Sequence, residues 1–320
     1  MREAPTVIPG ETPAAYRPAA AADAEGADAG TAARSAVEEK TGRRRNLAYP
    51  PAPEPLPVPV MDNHTHLDFR DGLVEVTVRE ALDAAEAVGV RGAVQVGCDL
   101  DSSRFTVAAV EAEPRLLGAV AIHPNDAPPL AAAGTLDAAL AEIEELAAHP
   151  RVRAIGETGL DYFRTRGAGL QDQEYSFRRH IDIAKRLDLA LQIHDRDAHD
   201  DVVRILDAEG APPKVVFHCF SGGPELARIC NERGWYMSFA GTATFKNSAQ
   251  LREALHLADP RLVMVETDAP FLTPHPYRGR PNASYMVPYT VRSIAAVLGK
   301  DLSQLCADVA YNTELVYGQW

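Results

Sequence analysis

A (β/α)8 barrel carrying an N-terminal extension is the fold this chain predicts, and three observations point to it. From Leu56 onward, short runs rich in β-branched and other apolar residues alternate eight times with amphipathic stretches. That rhythm, over about 265 residues, has the size of a closed parallel barrel. Residues of metal-ligand type stand at the ends of most of these runs. The first run is not followed by the Gly-x-Gly-x-x-Gly turn that a doubly wound dinucleotide-binding sheet would carry.

Strands are expected at 58–62, 92–96, 117–122, 152–156, 190–193, 215–217, 235–239 and 262–265, with helices between them at, for example, 77–88, 136–148, 171–187, 224–233 and 249–256. The first strand runs into His64-Thr-His66, and the two-residue period of a strand turns both imidazoles to one face. His123 closes the third strand, Glu157 the fourth, His194 the fifth, His218 the sixth and Asp268 the eighth. In a barrel these ends gather at one mouth, so residues distant in sequence converge there. A lone histidine after an apolar run is ordinarily a hydrogen-bonded core or loop residue; the whole set at equivalent positions points to a metal site.

The ligand types narrow the chemistry. Four imidazoles and two carboxylates suit two divalent ions, with Glu157 able to bridge them through its two oxygens. Two ions about 3.5–4 Å apart polarise a phosphoryl or carbonyl oxygen and acidify a water, so hydrolysis is expected. Asp268 is suited to a double role, as ligand and as acceptor of the water's proton.

The first 56 residues read differently. They are rich in Ala, Pro, Glu and Gly, nearly lack large apolar side chains and contain the cluster Arg43-Arg44-Arg45. Such a segment offers little surface to bury against its ordering entropy, so residues 1–56 are expected to be a disordered tail and 57–320 the barrel. The arginine cluster reads as solvated linker charge or as a contact for an acidic partner. The tail holds seven Lys/Arg against eight Asp/Glu, which leaves −12 of the chain's −13 charge on the remainder. That balance disfavours a broad duplex-binding surface, while a narrow metal-assisted site remains compatible with it. No apolar run spans a bilayer, no secretory signal is visible, and Cys98, Cys219, Cys230 and Cys306 form no Cys-x-x-Cys pair. A cytoplasmic protein with no obligate protein partner is expected.

Six segments carry a family resemblance: Asp62-Asn-His-Thr-His-Leu-Asp68, Ile122-His-Pro124, Gly156-Glu-Thr-Gly-Leu-Asp161, Gln192-Ile-His-Asp-Arg196, His218-Cys-Phe-Ser-Gly222 and Glu266-Thr-Asp-Ala-Pro-Phe-Leu-Thr-Pro274. Together, in this order from about Val60 to Val316, they resemble the TatD family of metal-dependent deoxyribonucleases. The resemblance implies a TIM barrel and divalent-metal hydrolysis of phosphodiester bonds, typically 3′-to-5′ exonuclease action on DNA and sometimes RNA. It also implies that His64, His66, Glu157 and Asp268 hold one ion and Glu157, His194 and His218 the other, with Mg, Mn or Zn as candidates. Glu157 and Asp268 would then be the catalytic carboxylates, and nucleic-acid 3′ ends or small phosphodiesters the substrates.

Other positions are open between two roles. His123 reads as a phosphate contact, as a group supporting the ligands or as plain loop structure. Arg196 could steady the scissile phosphate through its planar fork or pair with Asp195, Asp197 or Asp200. Arg278, Arg280 and Lys246 are candidates for strand-backbone contacts or ordinary surface charge. Asp161 suits an orienting role. Cys219 would point away from the site if the sixth strand continued past His218. In the loop from Tyr277 to Tyr285, Pro281 precedes Asn282, and Ala283-Ser284 stands where the family pattern has Glu-Pro. Two other functions fit the barrel: an amidohydrolase or esterase acting on a small cyclic amide or ester, and a non-catalytic interaction protein. Many such amidohydrolases use a modified lysine on the fourth strand, where this chain has Glu157.

Overall fold

The computed structural model describes residues 7–18, 34–37 and 42–320. Eight parallel strands follow one another around a single sheet: β1 (Val60–Thr65), β2 (Val90–Gly97), β3 (Leu116–Val120), β4 (Val152–Asp161), β5 (Ala190–Arg196), β6 (Val215–Phe217), β7 (Tyr236–Phe239) and β8 (Val263–Val265). The helices between and after them are α1 (Val78–Glu86), α2 (Leu100–Ala112), α3 (Ala127–Ala132), α4 (Leu136–Ala147), α5 (Gly169–Leu187), α6 (His199–Glu209), α7 (Pro224–Arg233), α8 (Ala249–Leu257), α9 (Val287–Leu298) and α10 (Leu302–Tyr317). Strand order β1 to β8 is the order of the chain, the singly wound order of a barrel and not the reversed order of a doubly wound sheet. The first and last strands meet just past the end of β8. There a parallel bridge joins Thr65 to Ala269, the Asp268 N–H donates to the His64 carbonyl (2.9 Å), and the His66 N–H donates to the Ala269 carbonyl (2.8 Å).

Val94, Val96, Leu117, Ala119, Ala154, Ala190, Val216 and Met264 pack in one cluster with Val316 and Tyr317 of α10. The last helix therefore seals the end of the barrel opposite the mouth. Gln192 fastens it by donating to the Tyr317 hydroxyl (2.7 Å) and the Asn63 carbonyl (3.1 Å). The second cluster, far larger, lies between the strands and the helix ring. Local signals agree with this framework: Thr77 and Glu80 form a reciprocal capping box at α1, an arrangement worth about 1 kcal/mol.

β1, β4 and β5 run at least three residues further toward the mouth than their apolar runs suggest. β4 continues to Asp161 because its pairing with β5 resumes at Thr158↔Ile193 and runs on to Asp161↔Arg196, after an irregularity that leaves Gly156 and Glu157 out of register. A break of that kind re-aims a side chain. Glycine is required on both sides of Glu157: a Cβ on Gly156 would strike Gln192, and one on Gly159 (φ +142°) would strike the His194 carbonyl.

The described stretches of the extension differ from the expected disordered tail. Tyr16 is buried against Tyr49 and Tyr285, with ring centroids 4.6 and 5.0 Å away. The Tyr285 hydroxyl donates to the Pro50 carbonyl (2.7 Å), and Arg45 forks onto the buried Asp71 at 2.9 and 2.6 Å. Composition misjudges these stretches because part of their burial comes from barrel residues such as Tyr285 and Asp71, which no local pattern reveals. The expectation for residues 1–6, 19–33 and 38–41 lies outside the described residues.

Candidate metal centre

Four ligand atoms converge at the mouth where β1, β4 and the segment after β8 meet. His64 Nε2 and His66 Nε2 face each other at 3.2 Å. Glu157 Oε1 lies 3.8 and 3.6 Å from them, and Asp268 Oδ1 lies 3.8 and 3.4 Å from them. A cation with bonds of about 2.0–2.1 Å spaces tetrahedral ligands about 3.3–3.4 Å apart, so this donor set fits one. The His66 ring is oriented for it: Nδ1–H donates to the Val96 carbonyl (3.0 Å), which leaves the lone pair of the neutral ring on Nε2. Asp268 sits at φ +55°, a left-handed conformation uncommon for a non-glycine residue and frequent at functional sites.

The other oxygen of Glu157 faces a second group. Oε2 is 2.9 Å from His194 Nδ1 and 2.8 Å from His218 Nε2. Each imidazole has a carboxylate behind it: Asp161 Oδ2 stands 3.3 Å from His194 Nε2, and Glu266 Oε1 stands 3.4 Å from His218 Nδ1. Among the described residues, His218 Nδ1 and Glu266 Oε2 have no hydrogen-bond partner. The contact between these two side chains is one of charge.

The charges are strongly interdependent. Burial opposes ionisation of Glu157, but the His218 and His123 rings and the hydrogen bonds from His194 and His218 hold its carboxyl well below the usual range. Burial likewise opposes charge on Asp268, and His66 outweighs it, so Asp268 is also lowered. His66 is desolvated, yet the Asp268 bond and the Glu157 charge bring it up to about 9. His218 is raised for the same reason, burial being outweighed by Glu157, whereas burial and the neighbouring His218 lower His64.

His123 is brought into the centre, with Nε2 3.3 Å from His194 Nδ1 and 3.9 Å from Glu157 Oε2. Its Nδ1 accepts the Asn125 backbone N–H (3.0 Å), and burial together with His194 pushes its pKa down to about 3. A neutral ring that accepts at Nδ1 carries its proton on Nε2, so His123 presents an N–H donor to the site and not a ligand lone pair.

A cavity of about 430 Å³ opens over these groups, lined by His66, His123, Glu157, His194, His218 and Asp268 together with Arg196 and Phe271. Arg196 stacks on Phe163, 4.0 Å from the ring centroid, and among the described residues makes no ion pair with Asp195, Asp197 or Asp200. Arg278 lies outside the lining, stacked on Phe245 (4.3 Å), and Lys246 is exposed and also outside it. Arg280 is tied to the extension by bonds to the Ala48 and Tyr49 carbonyls. Asp161 stands beside His194 and accepts from Asn125 Nδ2 (2.9 Å) and from the Phe163 and Arg164 N–H groups.

Cys219 departs from its expectation. β6 ends at Phe217 and Cys219 has φ +42°, so strand alternation no longer applies and Cys219 lines the cavity. Cys98 is a site residue that the sequence reasoning missed: it stands just after β2, and its thiol donates to Glu157 Oε1 (3.3 Å). Its position at a strand end is the signal the sequence holds for it. Burial and the Glu157 charge raise that thiol far above its ordinary pKa, so it is a hydrogen-bond donor here.

Residues 61–318 match the family described as TatD related DNase. A Mycobacterium tuberculosis protein named an uncharacterized metal-dependent hydrolase TatD is 43% identical over 263 residues, covering 81% of this chain and 98% of its own length. A Citrobacter rodentium protein named 3′-5′ ssDNA/RNA exonuclease TatD is 33% identical over 245 residues, covering 75% and 91%. Among solved structures, the Escherichia coli TatD homolog YJJV superposes with a TM-score of 0.73 at 23% identity, covering 82% of this chain and 98% of its own.

Proposed function

Because this chain belongs to the TatD related DNase family and is a metal-dependent hydrolase acting on ester bonds, we propose that its substrate is a nucleic-acid strand cleaved from the 3′ end. The observation that carries this reading is the division of Glu157, whose two oxygens face two separate groups of nitrogens. His64, His66, Glu157 and Asp268 would hold one divalent ion, and Glu157, His194 and His218 a second, with Mg, Mn and Zn the candidates. When bound, such a pair polarises a phosphoryl oxygen and makes a water acidic near neutral pH.

The chain's own groups do the rest. Asp268 is held ionised, which suits it to take the proton of an attacking water. His123, neutral with Nε2–H pointing into the centre, donates to a non-bridging phosphoryl oxygen. Arg196, held flat on Phe163 at the cavity wall, offers charge to the phosphate. A narrow mouth on a chain of net charge −13 suits a single-strand end better than a duplex track. Among the described residues no helix is long and apolar enough to cross a membrane, and the four cysteines are free, in keeping with action on nucleic acid in a reducing cytoplasm.

The test is hydrolysis of 3′- and 5′-labelled single strands with Mg²⁺, Mn²⁺ or Zn²⁺. Mononucleotides released from the 3′ end are expected. Hydrolysis of a lactone or cyclic amide with no release from either strand would replace the nuclease with the amidohydrolase alternative.

A further inference from the structure

Phe271 and Leu272 follow the proposed ligand Asp268 closely and form one wall of the cavity. Phe271 is partly exposed, so an aromatic surface stands at the mouth. Three groups pack around its ring: Phe69, with centroids 5.4 Å apart; His66, edge-on at 6.3 Å; and the Arg34 guanidinium, 5.2 Å from the ring centroid. The last comes from the N-terminal extension, outside the stretch 61–318 that matches the family.

Arg34 is fixed from several directions. Its N–H donates to the Arg70 carbonyl (2.9 Å), and Nη1 donates to the Pro270 carbonyl (3.0 Å) and reaches Asp71 Oδ2 (3.4 Å). Asp71 is fully buried and gripped by the fork of Arg45, whose Nε donates to the Gly279 carbonyl (3.0 Å). An antiparallel bridge between Val37 and Arg44 joins residues 34–37 to the stretch that begins at 42. The extension is thus fastened at Arg45 and reaches the site at Arg34. A planar guanidinium can donate to a carbonyl from its edge while its face lies on a ring.

We propose that Arg34 is a positioning residue of the active site, holding Phe271 as the aromatic wall on which the terminal base of a single-stranded substrate stacks. This rests on the nuclease reading above. Aromatic platforms bind bases through their π faces with little regard to identity, and a cation within about 6 Å steadies the ring that does so. The extension then sets substrate affinity through this wall, since the hydrogen bonds of Arg34 go to Arg70, Asp71 and Pro270 and none goes to a proposed metal ligand.

The experiment uses the full chain, with binding of a fluorescent oligothymidylate followed by anisotropy in Ca²⁺ and steady-state hydrolysis measured in Mn²⁺. Arg34→Ala should weaken binding and raise KM about fivefold, while kcat stays within about twofold. Arg34→Gln keeps a donor for the Pro270 carbonyl but loses the cation, and should behave like the alanine variant. Phe271→Ala should raise KM at least as much, and adding Arg34→Ala to it should change nothing further. Arg17→Ala, a change in the extension at a residue bonded to Glu11 and Thr12, should leave both constants alone. Unchanged binding in Arg34→Ala, or effects of Arg34→Ala and Phe271→Ala that multiply, would overturn the proposal while the nuclease reading stands. A wild-type chain that hydrolyses esters but binds no single strand would overturn both.

Discussion

The two halves of the proposed metal centre are built from the same residue types and differ in spacing. Around Glu157 Oε1, the His64, His66 and Asp268 atoms stand 3.2–3.8 Å from their neighbours, the separation of ligands around a cation. Around Oε2, His194 and His218 close to 2.9 and 2.8 Å, the separation of hydrogen-bonded partners. The supports differ as well. His66 is oriented by a neutral carbonyl, whereas His194 and His218 are backed by the carboxylates of Asp161 and Glu266. Protons and a cation compete for the same lone pairs, and a carboxylate behind an imidazole strengthens its hold on either. The first half is pre-spaced for an ion; the second must exchange hydrogen bonds for one.

The largest expected effect belongs to the residue both halves share. Glu157→Gln should lower hydrolysis by roughly 10³-fold or more and reduce the ions retained. Initial rates and metal content would check it, and near-normal turnover would remove Glu157 from the centre. Separating the halves comes next. Calorimetric titration with Mn²⁺ should show His66→Ala losing the tighter of two binding events and His218→Ala the weaker; the reverse order would break the comparison. Asp161→Asn should weaken only the weaker event, by roughly 10- to 100-fold, because it removes the charge orienting His194. An equal loss in both events would mean the halves are not independently supported.

The smallest effect is on stability of the metal-free chain. His66 is raised to about 9 in the fold, so its contribution is complete below its ordinary value of about 6.5 and disappears as pH rises through about 9. Glu157 and Asp268 are lowered, so theirs is present above the ordinary carboxylate range of about 4 and is lost as pH falls through their folded values. Melting temperature of chelator-treated protein should therefore decline from about pH 6.5 to 9, and the stabilisation by added Mn²⁺ should grow over the same range. A metal-free Tm that rises across that interval contradicts the assignment.

Much of this was legible in the chain. The barrel showed in its alternation, and the convergence of His64, His66, Glu157, His194, His218 and Asp268 followed because strand ends in this fold share one mouth. What stayed hidden depends on contacts with no local signature. Cys98 reaches Glu157 only because β2 and β4 end at the same barrel mouth, and Cys219 turns inward through a left-handed backbone after β6. Tyr16 and Arg45 look like tail residues until Tyr285 and Asp71, more than twenty residues away, are seen to receive them. The tautomer of His123 was likewise invisible, since it is set by the Asn125 N–H.

The measurement that tests the account most directly is the number of Mn²⁺ ions held per full-length chain, by equilibrium dialysis across free-metal concentration. Two ions of unequal affinity, falling in Glu157→Gln, are predicted. A single ion per chain, or a stoichiometry that Glu157→Gln leaves intact, would contradict a centre bridged by Glu157.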